Sequence, residues 1–167
     1  MILPIYTDKH DILRQKTEPI TEITPEIRQL AEDMRTTMHN AHGVGLAAPQ
    51  VGKSVALTVI ELVDEDPDFS IPHLALINPR VTWTGKRKVP MEEGCLSIPG
   101  VEGIVYRPDK VRVKALDLDG NHVEIECAGL LARVLQHEID HLNGILFTSY
   151  LTKKQLRTRP LTDYPRY

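Results

Sequence analysis

Three features of this 167-residue chain predict an α+β fold. Leu130 to Leu142, and Ile27 to Ala41, carry apolar residues at helical spacing. Between them, runs such as Val55 to Val63 and Val111 to Leu118 are rich in β-branched residues or alternate in polarity, as strands do. The turn Asp119-Gly120 is of the kind that joins antiparallel neighbours. The expected architecture is antiparallel β-sheets packed around a central helix, Leu130 to Leu142, with a second amphipathic helix outside. Length favours a single domain over residues 1–167, with a short irregular tail from about residue 151.

The elements follow in order. Residues 1–23 are irregular, with a short helical turn expected between Asp8 and Leu13. Thr24-Pro25-Glu26 is a helix start: a hydroxyl cap, a proline in the first turn and an acid at the positive end of the dipole. Ile27, Leu30, Ala31, Met34, Met38 and Ala41 mark its apolar face, and Gly43 ends it. The stretch Gly43 to Gly52 has small residues, with Gln50 as its one strong polar head; taken alone it reads as a tight turn. It formally fits G-x-G-x-x-A, but a helix precedes it and Pro49 blocks a following one, so a dinucleotide loop is rejected. Gly52-Lys53-Ser54 lacks the first glycine of a P-loop.

Val55 to Val63 is a buried strand, and Asp64 to Asp68 an acidic surface loop. Leu74 to Ile77 is a second strand stopped by Asn78-Pro79, with Val81 to Thr84 as an edge or hairpin arm. Lys86-Arg87-Lys88 is a solvated basic cluster, and Tyr106-Arg107-Pro108 a bend. Val111 to Leu118 and His122 to Cys127 form a hairpin, with Cys127 as core packing. His10, His39, His42, His73 and His122 have no partner pattern. In the last helix Arg133, Gln136, Asp140 and Asn143, spaced +3, +4 and +3, form one narrow wet stripe.

Composition excludes several classes. Hydrophobic residues are 41% and charged residues 26%, ordinary for a globular chain. A net charge of -3 gives no general affinity for nucleic acid. Two cysteines are too few for a disulfide framework. No run approaches the roughly 20 apolar residues of a membrane span. Met1-Ile2-Leu3-Pro4 carries no targeting pattern, so a cytoplasmic location is expected.

The chemistry centres on Gln136-His137-Glu138-Ile139-Asp140-His141. On a helix, positions i and i+4 share a face, so His137 and His141 can hold one metal ion. Glu138 stands beside the first of them, where it can take a proton from water activated by the metal. The five-residue motif also fits two core histidines satisfied by carbonyls. A lone cysteine is usually just buried, but Cys95, in Glu93-Gly94-Cys95-Leu96-Ser97, is a candidate third ligand for a helix that offers two; three protein ligands would leave a coordination position open for water.

The stretches Gly43 to Gln50, Glu93 to Ser97 and Gln136 to His141 resemble, in order and spacing, the three signature motifs of the peptide deformylase family. The similarity runs from the Thr24 helix to Tyr150. It implies a metal-dependent hydrolase that removes the formyl group from N-terminal formyl-methionine of new polypeptides and releases formate. It implies Cys95, His137 and His141 as metal ligands, Glu138 as acid/base, and Gln50 with the Leu96 N–H as oxyanion donors. Val44, Gly45 and Gly94 fall where the family lines its substrate groove, Leu130 and Val134 where it builds the methionine pocket, and Arg107 near an arginine that meets the substrate backbone. The implied cofactor is one divalent ion, Fe(II) physiologically, with Zn(II) or Ni(II) as replacements. The implied partners are nascent formyl-methionyl peptides, with no nucleic acid and no membrane. Many members carry a longer C-terminal helix linked to ribosome docking; this proline-interrupted tail departs from it.

Two rivals are distinguishable. A zincin-type protease needs a third ligand downstream, yet position 147 is Phe and no Glu follows the helix. A structural metal site needs four ligands, and three are evident.

Overall fold

Thr24 caps the first helix, α1 (Pro25–Asn40), its hydroxyl oxygen accepting from Ile27 N at 3.4 Å. A computed structural model describes residues 1–158 of the chain. Strands β1 (Gly45–Ala47), β2 (Leu57–Leu62), β3 (Ile71–Thr84), β6 (Lys110–Leu116) and β7 (His122–Ala128) form one antiparallel sheet in that spatial order. Strands β4 (Lys88–Cys95) and β5 (Ile98–Pro108) form a hairpin that, with β8 (Arg157–Thr158), makes a second sheet. The second helix, α2 (Gly129–Leu142), follows β7.

Alternation along the strands puts the two helices on opposite faces of the larger sheet. Val59 and Ile77 pack with Met34 and Met38 of α1, whereas their neighbours Ile60 and Leu76 pack with Val134, Leu135 and Ile139 of α2. A third cluster, with Leu13, Cys95, Ile98, Val105 and Phe147, fills the space beside the β4–β5 hairpin. The site-bearing helix therefore has a sheet on one side and the hairpin on another.

The structure corrects several expectations. Asn78-Pro79 does not stop a strand: β3 runs through it with a register shift between Ile77 and Arg80. Asn78 takes a left-handed φ of 51°, tolerable for an asparagine, and its amide meets both Ile20 N and Ile20 O at 2.8 Å. Lys88 to Cys95, assigned no strand from sequence, is β4. The stripe on α2 is not wet at its start, because Arg133 and Gln136 are buried among carbonyls of the hairpin. The tail expected to be irregular carries a helical turn at Lys153–Gln155 and then β8, paired with Val101 and Glu102; residues 159–167 of it lie outside the described residues. Among the described residues, no helix is long and apolar enough to cross a membrane.

Candidate active site

Cys95 comes from the end of β4, His137 and His141 from successive turns of α2. One ligand atom of each lies within 4.8 Å of the others, and all three residues are buried. Cys95 Sγ is 3.2 Å from His141 Nε2. His137 turns Nδ1 to Glu93 at 2.8 Å, which leaves Nε2 as the nitrogen that could take a metal.

The chemistry of this set fits a divalent cation. Burial pushes the Cys95 thiol up to about 12, and nearby Glu138 and Glu93 add to it. Burial likewise holds Glu138 well above the usual carboxylate range, with Glu93 contributing, and holds His141 well below the usual imidazole range. A neutral imidazole is what a metal needs. A coordinated thiol loses its proton outright, so a bound cation reverses the cost that burial places on thiolate and carboxylate. Both oxygens of Glu138, fully buried, lack a hydrogen-bond partner among the described residues. Charge counting agrees: Arg107 and Arg133 balance Glu93 and Asp140, so thiolate plus Glu138 leave two negative charges for one divalent ion.

Gly45 of β1 lies directly over Glu138: a Cβ built there would stand 2.8 Å from its carboxyl carbon. Val44, Val134 and Leu130 meet in one apolar cluster beside it. Gln50 is buried with its orientation fixed, because Oε1 accepts from Ala47 N at 2.8 Å. Its Nε2 therefore points toward Ser97 Oγ at 3.2 Å and Cys95 Sγ at 3.5 Å. Leu96 and Gly94 flank Cys95, both buried. Short contacts thus join Cys95 to His141 and Gln50, and Gly45 to Glu138, while Gly94 and Leu96 adjoin Cys95 in the chain.

Arg107 was expected near the substrate backbone. It is 4% exposed, and its guanidinium donates to Glu93 at 2.7 and 2.9 Å and to Asp140 at 2.7 Å. Its Cζ lies 4.9 Å from the centre of the Tyr150 ring. The structure thus commits it to a buried ion network and not to a groove. Glu93, quoted in its motif without a role, is the hub of that network. Burial pushes its carboxyl up, but His137 and Arg107 overcome this and hold it well below the usual range. Arg133 was missed because its partners are distant in sequence. The available signal was its position four residues before His137, on the same helical face.

An H-E-x-x-H helix and a cysteine from a separate β-hairpin, gathered where they could hold one ion, fit the class of metal-dependent hydrolases. Residues 2–157 match the family described as polypeptide deformylase, and the chain belongs to that family. It is 45% identical to a peptide deformylase of Salinibacter ruber, over 98% of this chain and 88% of the relative. It is 48% identical to one of Psychrobacter arcticus, over 95% of this chain and 84% of the relative. The crystal structure of a peptide deformylase from Legionella pneumophila superposes with a TM-score of 0.86 at 41% identity, covering 93% of this chain and 89% of that one. That of Ehrlichia chaffeensis gives 0.85 at 38% identity, covering 92% and 90%.

Proposed function

We propose that the chain, acting as a single catalytic unit, removes the N-terminal formyl group of nascent formyl-methionyl peptides in the cytoplasm and releases formate. The observation that carries the reading is a buried carboxylate without hydrogen-bond partners, Glu138, set between the Cys95–His137–His141 cluster and the backbone of Gly45. In this reading Cys95, His137 and His141 hold one ion, Fe(II) in the cell, although the same donors suit Zn(II) and Ni(II). A divalent ion there supplies Lewis acidity for activating water near neutral pH.

The residues then divide the work. Glu138 accepts the proton of the attacking water and passes it to the leaving nitrogen, so the peptide departs as a neutral amine. Gln50 Nε2 and the Leu96 N–H donate to the oxygen that becomes negative, each such donor being worth about 3–4 kcal/mol of barrier. Gln50 suits this role because its amide is already oriented by Ala47. Val44, Leu130 and Val134 form the apolar surface that takes the methionine side chain. Gly45 and Gly94 let backbone crowd the acyl carbon, where a formyl hydrogen fits and an acetyl methyl does not. Arg107 acts through Glu93 and not on the substrate.

The test is kcat/KM for matched formyl-Met and acetyl-Met peptides with freshly prepared anaerobic protein, with mass analysis of an unblocked peptide alongside. Formyl hydrolysis alone is expected. Equal rates on both acyl groups would make the chain a general amidase, and internal cleavage would make it a protease.

A further inference from the structure

The proposed metal centre is divided between two layers. Cys95 stands on the β4–β5 hairpin, and the histidines stand on α2, which packs on the other sheet. No ladder of strand hydrogen bonds joins those sheets among the described residues. The chain and two backbone hydrogen bonds join them only at the base of the hairpin, near Arg87 and Asp109, whereas Cys95 is at its other end. Side-chain contacts are left to hold thiolate and imidazoles to the roughly 0.2 Å that metal ligands tolerate.

One side chain of α2 reaches both strands of the hairpin. Arg133 Nη2 donates to Val89 O of β4 at 2.8 Å, and Nη1 donates to Val105 O of β5 at 2.7 Å. Nη1 also donates to Glu93 Oε2 at 2.8 Å, while the other oxygen of that carboxylate meets His137 Nδ1 at 2.8 Å. Val89 and Glu93 alternate onto one face of β4, and Cys95 follows two residues on, past a register shift after Gly94. Arg133 thus grips the strand that ends in the cysteine and, through one carboxylate, touches the imidazole one helical turn away. It is 2% exposed. A planar guanidinium with several donors in a fixed fork can make these contacts together, and a lysine ammonium cannot reproduce them. Gln136 and Asp140 extend the contact, donating to Pro108 O at 3.0 Å and accepting from Arg107 at 2.7 Å.

We propose that Arg133 is a positioning residue of the metal centre: it fixes the height of the cysteine-bearing hairpin over α2 and so the closeness of Cys95 to His137 and His141. This rests on the reading of those three residues as the ligand set. The probe is Co(II), added to metal-stripped wild type, Arg133→Met and Arg133→Lys. Three quantities are read: affinity by chelator competition, the thiolate-to-cobalt absorption band of the loaded protein, and the Tm of the metal-free protein. Loss of a residue supporting a ligand costs about 10–100-fold in metal affinity. R133M is expected to show that loss with a shifted or weakened band, and R133K to recover part of both.

Wild-type affinity and band in folded R133M overturn the proposal. So does an affinity loss that tracks a lower metal-free Tm while the band of the loaded protein stays unchanged. If R133M yields no folded protein, R133K decides by the same criteria. A wild type that takes up cobalt without a thiolate band overturns the ligand set itself, and with it the function proposed above.

Discussion

The carboxyl carbon and Cγ of Glu138 lie 2.8 and 2.9 Å from the point where a side chain on Gly45 would begin. The acid is therefore roofed by a residue that has no side chain to offer. Contacts under about 3 Å are not made by real Cβ atoms, so any larger residue at position 45 must move Glu138. Gly45→Ala is expected to keep the fold and the metal while kcat on a formyl-Met peptide drops at least about 10²-fold, the lower range for general acid–base catalysis. Turnover at the wild-type rate in metal-replete G45A would mean that the carboxylate works from another place.

Glu138→Gln separates proton transfer from binding. The amide keeps the shape of a fully buried group and removes the base. Metal content and Tm are expected to hold while kcat falls by at least about 10²-fold. Elemental analysis beside steady-state rates checks this; undiminished kcat would hand the proton to some other group.

Cys95→Ala leaves two imidazoles where three donors converged. Its loss should weaken the ion by more than the ~10–100-fold that loss of a merely supporting residue costs. Metal per chain after gel filtration against a chelator measures it. Retention equal to wild type would take Cys95 out of the site.

What was legible in the sequence was local. The Thr24 cap, the Asp119-Gly120 turn and the i,i+4 histidines are each decided within a few residues, and all three stand as read. What was not legible depended on remote partners. A polar residue on a helix face reads as solvated, and nothing near Arg133 announces carbonyls from residues 89 and 105. Pro90 speaks against a strand, yet it sits exposed in β4, where its missing N–H does least harm. Asn78-Pro79 reads as a stop because the tolerance of asparagine for positive φ, which lets β3 bulge and continue, is a weaker signal than proline. Arg107 was assigned by likeness, and its real partners, Glu93 and Asp140, are acids that its own neighbourhood does not reveal.

A separate ion cluster gives a pH prediction away from the metal. Arg35 holds both oxygens of Glu61 at 2.7 and 2.9 Å, and His39 Nε2 lies 2.6 Å away. Hydrogen bonds from Arg35 pull the Glu61 carboxyl from 4.5 down to about 2, against its burial. A depressed folded pKa stabilises the protein above the unfolded value near 4.5, and that contribution fades as pH falls toward 2. Arg35 is partly exposed, so the effect is on the order of 1 kcal/mol. Glu61→Gln should therefore lower the denaturation midpoint at pH 7 and show a smaller gap from wild type at pH 3. A gap that stays constant between those values would dissociate Glu61 from the acid response.

The division of the proposed ligands between β4 and α2 would also date the arrival of the ion in the life of the molecule. Cys95 is synthesised 46 residues before His141, and neither the hairpin nor the helix carries three donors. With Cys95, His137 and His141 as the ligand set, no early fragment would hold the ion firmly, and loading would wait until the two layers had closed on each other. Until then the thiol is a bare sulfur open to oxidants, and afterwards it is enclosed. On that reading a newly made chain would be most easily spoiled in the interval between leaving its template and closing around its metal.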